Sequence, residues 1–128
     1  MPDNSPSGFI PGAHPIEAYG AGGFRFADMS HRGSILALPS GVSAWTALTP
    51  QDIAAETLTL LFAEPAGAVE LLIVGTGADL VPLNPELRDK LRAAKIRFDP
   101  MATRLAISTY NILLGEGRRV AAALLAVP

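Results

Sequence analysis

Residues 69–74 read VELLIV, and Leu71 to Val74 is apolar without a break. A strand can be apolar on both faces only where both are covered, so this run predicts a buried central strand with helices over it. The last run, Arg119 to Val127, is almost wholly apolar and predicts a second central strand beside the first. Upstream, IEAYGAGGFRF predicts two short strands about a Gly-rich turn, with Phe24 and Phe26 alternating onto one face. GSILALP predicts a stronger strand bounded by Gly33 and Pro39, with residues 28–33 as the hairpin loop before it. GVSAWTAL continues the β pattern, with Val42 and Ala44 on one side and Ser43 and Trp45 on the other.

The period then changes. Thr49, Pro50 and Asp52 form a helix start, and Ala54, Leu58, Leu61 and Phe62 recur at helical spacing until Pro65 and Gly67 end them. Asn84 and Pro85 open a second helix with Leu87 and Leu91 facing inward, and IRF follows as a short strand. Asp99 and Pro100 precede a third helix from about Met101 to Leu114, stopped by Gly115 and Gly117. Met101, Leu105, Thr109, Ile112 and Leu113 share its apolar face. Helices and strands alternate in the second half, which predicts crossover units. The expected fold is α/β: a three-layer domain with a mixed, mostly parallel central sheet of about five strands plus an N-terminal β portion. Residues 1–14, punctuated by Pro and Gly, predict a flexible tail, and residues 15–128 a single domain.

Composition narrows the chemistry. The net charge of −2 gives no electrostatic case for nucleic acid or anionic lipid. The absence of cysteine excludes disulfides, thiol catalysis and cysteine-based metal sites. The first residues lack the basic start and apolar run of a leader, and no apolar stretch approaches the ~20 residues of a spanning helix. The expectation is a cytoplasmic protein that does not itself insert into a membrane. His14 and His31 are the two histidines, one in the tail and one in the predicted loop, without metal-ligand spacing, so no metal is expected. Trp45, the sole tryptophan, is expected in the core.

Two clusters carry candidate chemistry. Gly75, Thr76 and Gly77 follow a buried strand, where open α/β sheets bind ligands. No third glycine and no helix follow directly, so the bland reading, a tight turn, outweighs a nucleotide loop. The second cluster is TYNILLGEGRR with Thr103 upstream. Gly115 and Gly117 would let Glu116 and Arg118 fold back as an ion pair towards Tyr110 and Asn111, making one connected corner. Glu116 is the only nearby group suited to general-base work, and structural ion-pair networks mimic active sites, so a structural or partner-binding role outweighs catalysis.

The string VELLIVGTGADLVPLNPELRDKL…IRFDPMATRLAISTYNILLGEGRRVAAALLAV resembles the Mth-type domain family. Relatives in that family include a mitochondrial assembly factor for respiratory complex I and an adipogenesis-associated protein. The features that match are Gly75-Thr76-Gly77, Leu87-Arg88, Leu91, Met101-Ala102-Thr103, Ala106, Thr109-Tyr110-Asn111, Glu116-Gly117-Arg118 and the Val120–Leu124 strand. YGAGGFRF, GSILALP and Trp45 fit as well, so the resemblance spans about residues 16–127. Lys95 stands where the family usually has Gly, and LAIS replaces a segment that often holds cysteine. The resemblance implies a three-layer fold with a mixed sheet, no established catalysis, no cofactor, and a protein partner in an assembling membrane complex. Two function classes follow. The first is a non-enzymatic interaction or assembly-factor-like module docking through residues 75–79 and the Tyr110–Arg118 corner. The alternative is a small-molecule-binding domain or undiscovered enzyme with Thr76, Thr103, Tyr110, Asn111, Glu116 and Arg118 around a pocket at the strand ends.

Overall fold

The computed structural model describes residues 9–128. Its elements in chain order are β1 (Ile10–Pro11), β2 (Ala18–Gly20), β3 (Gly23–Phe26), β4 (Met29–Arg32), β5 (Ile35–Leu38), β6 (Gly41–Ala44), α1 (Thr59–Phe62), β7 (Leu71–Gly75), α2 (Pro85–Ala93), β8 (Arg97–Met101), α3 (Thr103–Gly115) and β9 (Val120–Leu124). One sheet has six strands in the order β1-β6-β5-β9-β7-β8, and β2-β3-β4 form a second, smaller sheet. Pairs β1–β6, β6–β5 and β5–β9 are antiparallel, whereas β9–β7 and β7–β8 are parallel. The central sheet is mixed, as expected. It has six strands rather than about five, and its antiparallel pairings outnumber the parallel ones. Parallel pairing needs a crossover, and only the chain after β7 supplies helices for one; β5 and β6 are joined by a tight hairpin instead.

The two apolar runs pair as neighbours, with Leu71–Gly75 alongside Val120–Leu124 in the middle of the sheet. Side chains alternate across them. Leu72, Val74, Ala121 and Ala123 face one core, closed by Leu58, Leu61, Leu87 and Leu91 from the α1 and α2 side. Ile73, Ala122 and Leu124 face the other, closed by Ala106, Ile107 and Tyr110 of α3 and by Phe24 and Phe26 of the small sheet. These are the three layers. Trp45 is buried in the first core, and its Nε1–H donates to the Thr57 carbonyl at 2.8 Å.

Three local expectations are corrected. The helix expected from residue 49 to 62 is two 3-10 turns, Pro50–Asp52 and Ala55–Thr57, followed by the single turn of α1. Side chains have taken the backbone groups a continuous helix would need. The Thr57 hydroxyl donates to the Asp52 carbonyl and Asn84 Nδ2 donates to the Ile53 carbonyl, while the Asp52 carboxylate only caps the first turn, accepting from the N–H of Leu48 and Thr49. Residues 29–32, expected as loop, are strand β4, because Ala27 and Asp28 both adopt positive φ and turn the chain in two residues. The third helix starts at Thr103, and its buried face is Thr103, Ala106, Ile107 and Tyr110. Leu105 and Ile112, expected inside, are 52% and 61% exposed. The face that turns inward is the one that shares a core with Ile73, Ala122 and Leu124 of the central strands. The tail expected over residues 1–14 lies outside the described residues as far as residue 8. Beyond that, Ile10 and Pro11 pair with Val42 and Gly41 at the sheet edge.

Both long helices end in the same device. After α3, the Arg118 N–H reaches the Leu113 carbonyl and the Gly117 N–H the Leu114 carbonyl, with Gly117 at φ +78°. A Cβ at Gly117 would touch nothing, so only the backbone angle opposes it. Gly117→Ala should therefore lower stability by about 1 kcal/mol, read as an earlier urea midpoint with unchanged slope. After α2, the Ile96 N–H reaches the Leu91 carbonyl and the Lys95 N–H the Arg92 carbonyl. The residue at positive φ here is not glycine but Lys95, at +60°. A left-handed L-residue costs roughly 1 kcal/mol, partly offset by a cation's favourable place at a helix C-terminus.

Candidate functional site

Parallel strands β7 and β8 end at Gly75 and Met101, and there the expected Gly75, Thr76, Gly77 and Thr103 do come together. The Thr103 hydroxyl is fully buried; it donates to the Leu125 carbonyl at 2.9 Å and accepts from the Gly77 N–H at 3.0 Å. The Thr103 N–H returns a bond to the Gly77 carbonyl at 2.8 Å. The Thr76 hydroxyl donates to the Asp79 carbonyl at 2.6 Å and accepts from the Val81 N–H at 3.0 Å. Gly75 is needed for closeness: a Cβ there would lie 2.9 Å from Thr103 Oγ1 and 3.0 Å from Thr103 Cα. Gly77 sits at φ +99°. Both threonines are thus used up in binding backbone, and they knot the ends of β7 and β9 to the start of α3.

Tyr110 and Asn111 point elsewhere. The Tyr110 ring is buried and its hydroxyl donates to the His14 carbonyl at 3.0 Å. Burial pushes its pKa up to about 12, so it stays a neutral donor across the physiological range. Asn111 grips Ile16 twice, accepting from its N–H and donating to its carbonyl, each at 2.8 Å. In effect one side chain acts as a strand partner for residue 16. His14, in turn, has Nε2 2.8 Å from the Pro11 carbonyl, and His31 packs its ring beside Phe26.

The expected corner of Tyr110, Asn111, Glu116 and Arg118 is therefore not one cluster. Glu116 caps α3, is exposed, and reaches Arg118 only through its charge. The partner of Arg118 is Glu70: Arg118 Nη2 lies 3.1 Å and Nε 3.5 Å from its two carboxylate oxygens. Arg97 Nη2 approaches the same carboxylate at 3.5 Å, Arg119 Nε at 3.7 Å, and the Arg119 N–H donates at 3.3 Å. Glu70 precedes β7, Arg97 opens β8 and Arg119 precedes β9, so one carboxylate ties the starts of all three parallel strands. The Arg118 hydrogen bond, with the Arg119 N–H next, holds the Glu70 carboxyl below its ordinary value. Sequence reasoning missed Glu70, Arg97 and Arg119. The signal was present: all three flank the starts of runs read as strands, and parallel strands bring their starts together.

The strand-end knot and the Glu70 cluster lie at opposite ends of α3, whose 13 residues span about 20 Å. What they define together is a three-layer α/β domain whose parallel strands are locked at one end by threonine hydroxyls and at the other by a carboxylate. The chain belongs to the family described as Protein of unknown function (DUF498/DUF598), which it matches over residues 16–125. The structure of a protein from Bartonella henselae, described as an outer membrane protein, is 47% identical, superimposes with a TM-score of 0.88, and is matched over 92% of this chain and 98% of that one. A Bordetella pertussis protein described as a Mth938-like domain is 34% identical with a TM-score of 0.75, over 88% of this chain and 85% of that one. NADH dehydrogenase [ubiquinone] 1 alpha subcomplex assembly factor 3 of Mus musculus is 33% identical over 93% of this chain, which spans 64% of that relative's length. The Mth-type resemblance is thereby established, and the family's relatives include complex I assembly factors. Among the described residues, no helix is long and apolar enough to cross a membrane.

Proposed function

We propose that the chain is a non-enzymatic, assembly-factor-like module that acts in the cytoplasm by binding a protein partner, a subunit of an assembling membrane complex. The observation that carries this reading is where the candidate polar groups point. Thr76, Thr103, Tyr110 and Asn111 each spend their side chains on backbone groups of this chain. They shape and stiffen the surface rather than converge on a substrate. Recognition then falls to what remains outside: the loop after Gly75 with Leu80 58% exposed, Leu105 on the first turn of α3, and the charged end around Arg118 and Glu116. The assembly role of the mouse relative agrees with this reading.

The test is capture of a tagged chain from its source organism under mild detergent, with quantitative mass spectrometry and a reciprocal capture from the partner's side. A membrane-complex subunit recovered in both directions at comparable amounts is expected. Recovery of no protein in the reciprocal direction would overturn the reading, and so would turnover of a small molecule abolished by Glu116→Gln without loss of stability.

A further inference from the structure

Three guanidinium groups, those of Arg97, Arg118 and Arg119, share the one carboxylate of Glu70. Beside Arg97, a hollow of about 460 Å³ is lined by Arg92, Lys95, Ile96, Arg97 and Phe98. Arg92, Lys95, Arg97, Arg118 and Arg119 are half of the chain's 10 basic residues, gathered at one end of a molecule of net charge −2. Glu70 is shared among three arginines, Asp89 pairs with Arg92 at 3.5 Å, and Glu116 adds its charge beside Arg118, so five basic groups face three carboxylates. The end is left with an excess of positive charge over an apolar floor.

Two further features give this end a shape. Strand β8 is the sheet's edge. Because the Arg97 N–H bonds the Glu70 carbonyl, alternation turns the N–H and C=O of Phe98 away from β7. Pro100 falls on the same outward side and has no N–H, so an added strand can bond at Phe98 and little further. The Phe98 ring is itself held beneath the Arg92 guanidinium, 5.4 Å from its centroid. The second feature is Lys95. It is exposed, it lines the hollow, and it occupies a positive-φ helix stop that glycine fills without strain. Strain kept at a surface position points to a use for the side chain.

We infer that this end, formed by Arg92, Lys95, Arg97 and Arg118, is the docking surface for an extended acidic segment of the protein partner, with one apolar side chain seated on Ile96 and Phe98. The inference rests on the protein-partner reading above and adds the partner's chemistry. Carboxylates of the segment meet the guanidinium and ammonium groups, which outnumber the carboxylates of this end, and its backbone meets the free edge at Phe98. Nucleic acid fits less well: the only aromatic ring in the hollow already lies under Arg92, leaving no open face for a base to stack on.

The probe is a short fluorescein-labelled peptide of Glu and Asp with one central Phe, followed by fluorescence anisotropy and by amide shifts of the whole chain. Binding is expected to shift amides of residues 92–98 and 118–119, and to weaken roughly tenfold from low to physiological salt. Lys95→Gly should raise the melting temperature by a few degrees yet weaken the peptide several-fold. Arg97→Glu should abolish binding, and Arg104→Glu, on the far end of α3, should leave it unchanged. Shifts centred elsewhere would overturn the surface, as would Lys95→Gly and Arg97→Glu binding like wild type, or a single-stranded oligothymidylate binding more tightly than the peptide. In the capture experiment, wild-type recovery by Arg97→Glu would sink this surface while leaving the assembly reading intact. Failure of capture by the wild-type chain would sink that reading, and the peptide shifts would still decide whether an acidic segment binds here.

Discussion

Thr103→Val should lower the unfolding free energy by about 2–3 kcal/mol, because it strands two backbone groups at once. At this size that is a fall of roughly 10 °C in melting temperature. Valine has nearly the same volume as threonine, so the core loses no packing. What goes is the hydroxyl that bonds the Leu125 carbonyl at 2.9 Å and the Gly77 N–H at 3.0 Å, at a side chain with no solvent exposure. The valine methyl would fill the place of the hydroxyl, so a water could not take over its bond to the buried Leu125 carbonyl. Thr103→Ser keeps the hydroxyl and should lose less than half as much, chiefly the buried methyl. The pair of variants separates hydrogen bonding from packing: equal losses in thermal melts would assign the effect to the methyl and remove the knot from the account. Gly75 sharpens the point, since its lack of a Cβ is what allows Thr103 to sit so close.

The legible parts of this chain were those where a pattern needs no distant partner. Leu71–Val74 and the terminal run could be read as neighbouring central strands because double-sided apolarity has a single structural solution. Asn84-Pro85 marked the start of α2, and the Asn84 side chain does accept from the Leu87 N–H at 2.7 Å. Gly117 announced its positive φ through its place after a helical run. What failed depended on contacts far along the chain. The helix read from residue 49 is broken partly by Asn84, 31 residues away from Ile53. The inward face of α3 is set by the core it shares with Ile73, Ala122 and Leu124, and no local count of apolar residues reveals that. Arg118 was matched to Glu116 because they are two residues apart, yet its partner is Glu70, 48 residues upstream. Gly75, Thr76, Gly77 and Thr103 lie together at the strand ends, but the bonding of the two threonine hydroxyls to backbone groups was not readable.

Asn111→Ala should release residues 14–16 from α3 at an expected stability loss of about 2 kcal/mol. The side-chain amide offers one acceptor and two donors in a plane. Oδ1 takes the Ile16 N–H and Nδ2 gives to the Ile16 carbonyl, both at 2.8 Å, which is the two-point pairing a neighbouring strand would provide. Ile16 itself is 3% exposed and sits in the core beneath, so its backbone cannot turn to water without drawing its side chain out. The Tyr110 hydroxyl holds the His14 carbonyl two residues earlier, which makes the two helix residues a paired clamp on the irregular segment that leads into β2. Asn111→Asp provides the internal control. It keeps an acceptor for the Ile16 N–H but sets a carboxylate against the Ile16 carbonyl, so it should lose at least as much as alanine at neutral pH and regain part of that loss as the carboxyl is protonated. Hydrogen exchange localises the effect: the Ile16 amide should speed up far more than those of β7 and β9. Slow exchange at Ile16 in Asn111→Ala, with an unmoved melting temperature, would mean that the burial of the isoleucine side chain alone anchors the segment.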